Sequence, residues 1–534
     1  MARRRPRRPS TPSGPSGPVQ STMAPAEILS ADQVEAINHA SLKVLQETGV
    51  EIMSAAARAC YKAAGAEVDE ASERVRMAPE LVEQAIKTCP SEWTFHARNP
   101  ARNVPIGGRW LAYCNATTPP YVSGPGMARQ PGSLKTFTQS VQLCQALDQM
   151  HFFYGYPVEP QDLPVHTRHL DAYHTLATQT DKVWRAYAMS DMGDALEIAR
   201  IARGVTAEQF AAEPSLMLNC NTNSPLKIDE PMWDGLIAMA KQGQPVVISA
   251  FTMAGAMAPI TMAGALTEQN AECLAGMVLT QLVNPGAPVI YGAFTSNVHM
   301  RSGAVALGTP EYAQAAIAGG QLARRYGVPY KSSNVNSSNA PDAQAAYESM
   351  NALWATHMGH CNVMAHGIGW LESGLTFSFE KAIIDAEMLR MMQAFLKPLD
   401  TSPEALGVEA MARVGPGGHF FSDPMTLDRY ETAFWDPMLS DWRPYEAWFE
   451  AGSKTATERA GDIALKLLDN FQPPPMEASI RDELDTYVAK RKEALARPLT
   501  HGSSSSAAAS LVSPRSITSP RPASRTPCCW NAAS

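Results

Sequence analysis

Short apolar runs alternate with stretches of helical period through the middle of the chain. The runs fall at Phe152–Tyr156, Val183–Ala188, Leu216–Asn219, Val246–Phe251, Val289–Phe294, Pro329–Ser333 and Asn362–His366. Strand starts near 245, 288, 328 and 361 recur at about the length of one βα unit. Strands that are apolar throughout, rather than alternating, are buried on both faces, as in a parallel sheet covered by helices. Repetition of this unit over roughly 300 residues predicts an α/β fold, a (β/α)8 TIM barrel. An open doubly wound sheet is the weaker alternative, because no glycine fingerprint follows an early strand.

The flanks differ. Ser30 opens a capping box with Gln33, and Val34, Ile37, Val44 and Leu45 give a helical stripe that stops near Gly49. Pro79 opens a second helix closed by Pro90, so 25–105 reads as an N-terminal helical segment. The barrel occupies 106–435, with a hairpin or first strand within 106–125. Inside it, Thr309, Pro310, Gly327 and Pro329 punctuate one helix as N-cap, first turn, C-terminal stop and follower. Amphipathic helices return over 436–497, as a layer over the barrel or a partner surface. Residues 1–24 and 498–534 are rich in Pro, Ser, Gly or Ala and are expected to be disordered tails.

Composition narrows the function classes. The net charge of −8 argues against a general polyanion binder, and no nucleic-acid partner is expected. The arginines at 3, 4, 5, 7 and 8 have no aromatic or helical context, and no apolar stretch follows them to make a secretory signal. No apolar run reaches membrane-spanning length, so no membrane association is expected. The nine cysteines form no CxxC pair and no even framework, which fits a reducing, cytoplasmic setting.

The strand ends carry the candidate chemistry. Asn219 and Asn221 follow one strand and Asn334 another. Barrel strand exits converge on one mouth, and amides there point to a ligand that is not phosphorylated. His366 ends the strand CNVMAH, and Glu372 lies in the glycine-flanked loop GIGWLESG. Flanking glycines let a ligand approach the backbone closely, so His366 and Glu372 are the candidate catalytic pair. Tyr156, Phe294 and Trp370 lie nearest to strand exits and are candidates for a cage around a quaternary ammonium. His357, His360 and Cys361 have a spacing that can place two zinc ligands on one helical face. However, His357 belongs to a helix with its own core stripe, so no metal site is assigned.

The stretches PDAQAAYES, HGIGWLESGLTFSFEKAIIDAEML, RVGPGGHFFSDPMTL, YEAWFEAGSKT and ELDTYVAKRKEAL resemble the trimethylamine methyltransferase family. The likeness spans most of 25–495 and is densest in the C-terminal half. It implies a TIM barrel that moves a methyl group from a methylated amine to the cobalt of a separate corrinoid protein. No corrinoid is then held tightly by this chain itself. The founding trimethylamine enzymes contain pyrrolysine, whereas this sequence has only standard residues. Members without it act on quaternary amines, so the resemblance implies a substrate such as glycine betaine, with trimethylamine as the alternative. His366 would then hydrogen-bond a substrate carboxylate, and Asn219, Asn221 and Asn334 would line the pocket. A homo-oligomer is expected. Two other readings stand beside this one: zinc-assisted methyl transfer through His357, His360 and Cys361, and a betaine-binding barrel without turnover.

Overall fold

The computed structural model describes residues 17–187 and 190–496. Its centre is an eight-stranded sheet built from β1 (Val19–Gln20), β2 (Trp110–Asn115), β3 (Trp184–Ala186), β4 (Leu216–Asn221), β5 (Val246–Ala250), β6 (Val289–Ala293), β7 (Tyr330–Ser333) and β8 (Val363–Ile368). The order across the sheet is β1-β2-β8-β7-β6-β5-β4-β3, with every neighbouring pair parallel except β1 with β2. Six of the seven apolar runs read from the sequence overlap one of these strands. Each is buried along nearly its whole length, as continuous apolar character requires.

The sheet curls, but its ladder does not close. Between β2 and β3 the seventh run, Phe152–Tyr156, forms no regular strand. A single parallel bridge joins Cys114 to Phe152, and the Phe153 nitrogen donates to Val183 O at 2.8 Å. The closed eight-strand barrel is therefore corrected to a curled, barrel-like sheet within a mixed α/β fold. Gly155 lies within this run and Pro157 directly after it, and Asn115 takes over main-chain partners that a neighbouring strand would use. Its Oδ1 accepts from Tyr154 N at 2.9 Å and its Nδ2 donates to Gly155 O at 3.0 Å.

Helices α1 (Ala31–Lys43), α2 (Met262–Val283), α3 (Pro310–Tyr326), α4 (Ala343–Met358), α5 (Phe379–Phe395) and α6 (Ala456–Asp469) belong to the surrounding layers. The Ser30–Gln33 capping box is formed, and Thr309 caps α3, which ends at a left-handed Gly327. The N-terminal segment contains the expected helices and also short strands at Val50–Ile52, Glu67–Asp69 and Arg74–Arg76. A smaller sheet of Trp370–Leu371, Thr376–Ser378, Tyr121–Gly124 and Met127–Pro131 lies beyond the end of β8.

Residues 17–24, expected as part of a disordered tail, are built into the fold. Val19 pairs opposite Leu111, and Thr22 Oγ1 donates to Leu396 O at 2.8 Å. The free edge of β2 offers main-chain groups that a passing extended segment satisfies. The expectations for 1–16 and 498–534 lie outside the described residues. Among the described residues no helix is long and apolar enough to cross a membrane.

Candidate active site

A cavity of about 170 Å³ sits at the C-terminal ends of the central strands. It is lined by Thr117, Tyr154, Arg185, Asn219, Asn221, Ser249, Phe251, Phe294, Lys331, His366 and Trp370. Parallel strands that start in register end together, so side chains from β3, β4, β5, β7 and β8 converge there. At roughly 30 Å³ of liquid per water, the space equals five or six waters, the bulk of a small amino-acid-sized molecule. Asn221 is exposed and Thr117 and Phe251 are half-buried, so this side of the cavity meets solvent.

Two buried cations dominate its electrostatics. Arg185 projects from β3 and Lys331 from β7, and both are buried. The Arg185 Nε has no hydrogen-bond partner, and no carboxylate among the described residues pairs with either cation. Instead the Arg185 guanidinium carbon lies 5.4 Å from the Tyr154 ring centre and 5.8 Å from that of Tyr187. Lys331 Nζ lies 5.2 Å from the Phe294 ring centre and 5.6 Å from that of Tyr154, and donates to Ser249 Oγ at 3.0 Å. Ring faces soften the burial of a cation without neutralising it. Burial, reinforced by the nearby Arg185 charge, lowers the Lys331 pKa to about 7. A cavity with one fixed positive charge, a second that titrates near neutrality and no counter-charge is built to receive an anion.

His366 stands between these cations and the aromatics. Its register position is irregular: β8 shifts register against β2 between Met364 and Ile368, and His366 has a left-handed φ of 57°. A bulge of this kind re-aims a side chain, and the strain persists only where surrounding packing enforces it. The imidazole packs 4.2 Å from Trp370 and edge-on to Phe294 at 5.8 Å and Tyr154 at 6.1 Å, between ring centres. Burial, with help from Lys331 and Arg185, holds its pKa well below the usual histidine value. The ring is neutral at physiological pH, and its Nδ1 is buried without a partner. Phe251 and Phe294 stack at 5.1 Å on the same wall. Tyr154 OH donates to Asn219 Oδ1, and Asn219 Nδ2 donates to Asn221 Oδ1 at 2.6 Å.

Of the residues singled out from the sequence, His366, Asn219, Asn221, Phe294 and Trp370 meet in this cavity. Three others are placed elsewhere. Asn334 is buried behind the turn after β8, donating to Gly367 O at 3.3 Å and Asp385 Oδ1 at 3.2 Å. Tyr156 stacks on Tyr187 at 5.4 Å and packs against Phe137, one layer behind Arg185. Glu372 turns outward to Arg129, whose Nε lies 2.8 Å from Oε2 and whose guanidinium covers Tyr121 at 3.6 Å.

The proposed zinc ligands are each engaged separately. His357 bonds Tyr113 OH at 2.9 Å and Leu353 O at 2.6 Å, and burial lowers its pKa to about 4. His360 Nε2 bonds Met23 O at 2.8 Å. The Cys361 thiol donates to Val363 O at 2.9 Å, and burial raises its pKa to about 12, against thiolate formation. No group of three or more acidic, histidine or cysteine side chains among the described residues is placed to hold a metal ion.

The strand-end amides Asn219 and Asn221 line the cavity as expected, but they share it with two cations, Arg185 and Lys331, that were not among the expected site residues. Both were legible in principle. Each is a charged residue inside an apolar strand run, VWRA and PYKSS, where burial without function is costly.

The trimethylamine methyltransferase (MTTB) family model matches residues 1–496. The glycine betaine methyltransferase of Desulfitobacterium hafniense is 36% identical over 467 residues, covering 87% of this chain and 97% of that protein. Trimethylamine methyltransferase MttB2 of Methanosarcina mazei is 29% identical over 485 residues, covering 88% and 95%. The crystal structure of the Methanosarcina barkeri monomethylamine methyltransferase superposes with a TM-score of 0.43 at 10% identity, over 82% of this chain and 92% of that one. Matched by the family model from its first residue to the end of its last described helix, the chain belongs to the trimethylamine methyltransferase family, whose members transfer methyl groups from methylated amines.

Proposed function

We propose that this chain demethylates a quaternary ammonium carboxylate of the glycine betaine type and delivers the methyl group to a Co(I) corrinoid carried by a separate protein. The observation that carries this reading is the pair Arg185 and Lys331, buried in a small aromatic cavity with no anion of the protein's own. A substrate carboxylate supplies the missing charge and accepts from the guanidinium and the ammonium. Its quaternary head then lies away from the two cations, against Phe251, Phe294 and Trp370, where each ring face contributes about 0.5–2 kcal/mol. Protonated trimethylamine lacks the anionic group and meets two like charges in the same space.

The chemistry asks little of the protein. The cobalt nucleophile forms a bond to a methyl carbon in line with the breaking C–N bond. That bond's electron pair stays on nitrogen, which leaves as a neutral tertiary amine with no proton transfer. The neutral His366 fits this role: it neither repels the ammonium head nor donates an acid proton to the reaction, and its unpartnered Nδ1 offers one polar contact to the substrate. Arg185 and Lys331 fix the orientation, and the aromatic walls exclude water from the reacting methyl. The acceptor approaches past Thr117, Asn221 and Phe251, where the lining is least covered.

The test is a panel of methylated amines mixed with the protein and a reduced corrinoid protein, followed by the visible spectrum. Methyl-cobalt should form with glycine betaine and not with trimethylamine. Binding of betaine without methyl-cobalt would reject turnover and leave a binding barrel.

A further inference from the structure

The two strands behind the aromatic wall end on the same three residues. β5 runs into Ala250-Phe251-Thr252 and β6 into Ala293-Phe294-Thr295, with Ala250 paired opposite Ala293. Side chains alternate between the two faces of an extended chain. At both exits the phenylalanine lines the cavity and the threonine does not. Both threonines are buried on the side covered by α2.

Their hydroxyls begin a chain of hydrogen bonds that leaves the cavity wall and crosses the helical layer. Thr295 Oγ1 donates to Gln269 Oε1 at 2.5 Å, which makes Thr252 Oγ1 the donor in the bond between the two threonines. Gln269 Nε2 donates to Tyr291 OH at 3.2 Å, and Tyr291 OH to Asn270 Oδ1 at 3.1 Å. Asn270 Nδ2 donates to Tyr326 OH at 2.8 Å, and Tyr326 OH to Asn38 Oδ1 on α1, also at 2.8 Å. Thr252, Thr295, Gln269, Asn270 and Tyr291 are at most 1% exposed. Every bond runs in one direction, so the hydroxyl protons and the amide orientations of Gln269 and Asn270 are fixed together.

A buried hydrogen bond adds little net stability, because each group gives up water to form it. Apolar side chains of the same volume would fill this space as well. What the chain adds is geometry. Any group left unpaired here is costly, so Thr252 and Thr295 have one arrangement. The helix α2 is a firm support. Gly276 lets it lie against β5, where a Cβ would meet Ile248 Cδ1 at 2.7 Å, and Cys273 Sγ donates to Gly292 O on β6 at 3.2 Å. The chain has no proton to deliver, since a quaternary nitrogen leaves without one.

We infer that Thr252, Thr295 and Gln269 are positioning residues. Clamping the two strand exits from behind, they set the 5.1 Å stack of Phe251 on Phe294 against which the methylated head of the proposed betaine substrate is held, so their role rests on that reading of the cavity.

Calorimetry on the full-length protein with betaine and with acetate tests this. Thr295→Val keeps the shape and removes the hydroxyl, so betaine affinity should fall roughly tenfold as ring contact with the head is lost. Acetate has the carboxylate but no methylated head, and should bind within about twofold of the wild type, because the cations are held independently. A general loss of cavity structure would weaken both ligands alike. Thr295→Ser keeps the hydroxyl and should hold betaine within about twofold of the wild type. Thr252→Val deletes only the first donor and leaves no donor unmet, so it keeps the fold. Its betaine affinity should fall roughly threefold or more, and it serves in place of Thr295→Val should that variant misfold. Wild-type betaine affinity in the valine variant, equal weakening of betaine and acetate, or a serine variant as weak as the valine one overturns the positioning role and leaves the substrate in place. A wild type that does not bind betaine removes the proposed substrate, and the positioning role with it.

Discussion

Asp385 Oδ2 accepts a hydrogen bond from the main-chain nitrogen of Gly369 at 2.8 Å, tying α5 to the turn between His366 and Trp370. The carboxylate is held in place by Lys381, one helical turn away, with both side chains fully buried. Lys381 Nζ also donates to Ser349 Oγ at 2.9 Å. Gly369 has a left-handed φ of 87°, and a Cβ there would meet Phe377 at 2.3 Å, so the turn has one arrangement. Replacing Asp385 with Ala leaves a buried ammonium unpaired. The expected cost is about 3–5 kcal/mol in urea unfolding, with a fall in methyl transfer as His366 and Trp370 lose their support. A variant with wild-type stability would show that the pair does not hold the turn.

Arg185 should display opposite effects on stability and function. Arg185→Met removes an uncompensated buried charge while keeping much of the side-chain volume, so unfolding free energy should rise by about 1–3 kcal/mol. Binding of a carboxylate substrate should weaken roughly 10- to 100-fold, the worth of a charge-assisted hydrogen bond. Thermal melts and betaine titration calorimetry read both. Loss of stability together with unchanged affinity would remove Arg185 from the site.

Lys331 gives the site a pH dependence with a definite sign. Its folded pKa is near 7, below the usual lysine value, so between about 7 and 10.5 the unfolded chain binds more protons than the folded one. Ligand-free stability therefore rises with pH through that window, and Lys331→Met should flatten part of the slope. Lys182, whose pKa burial also lowers to about 7, keeps its own share. Substrate binding runs the other way. Carboxylate affinity should fall as pH climbs through 7 and Lys331 loses its proton, and binding near that pH should take up protons. Calorimetry in two buffers of different ionisation enthalpy measures the uptake, which Lys331→Met should abolish.

His366 occupies a backbone conformation that asparagine also tolerates. His366→Asn should therefore keep the fold, while substrate affinity and methyl transfer drop by roughly 10-fold or more as the aromatic packing around the head is lost. His366→Ala should add backbone strain of about 1–2 kcal/mol in unfolding experiments. Unchanged kinetics in the asparagine variant would reject a role for His366 at the site.

Much of the fold was readable because buried parallel strands are apolar from end to end, and runs such as VVISA and VIYGA declare themselves. The break between β2 and β3 was not, since Phe152–Tyr156 looks equally strand-like and only tertiary hydrogen bonds from Asn115 decide its path. Asn219 and Asn221 were found by position at a strand end, but the same rule misled at Asn334, whose amide serves the turn after β8. Tyr156 lies just two residues beyond Tyr154, and that offset moves its ring from the cavity to the layer behind it. Arg185 and Lys331 sit inside strand runs, where the apolar pattern of the neighbours masks the cost of burying a cation.

The most direct measurement follows methyl-cobalt formation with glycine betaine and with trimethylamine, side by side, in the wild type and in Arg185→Met, using the same reduced corrinoid protein. Rapid methylation from betaine alone, lost or slowed at least tenfold in the variant, is the expected result. Equal rates from trimethylamine, or a variant as fast as the wild type on betaine, would contradict an anion-anchored quaternary amine.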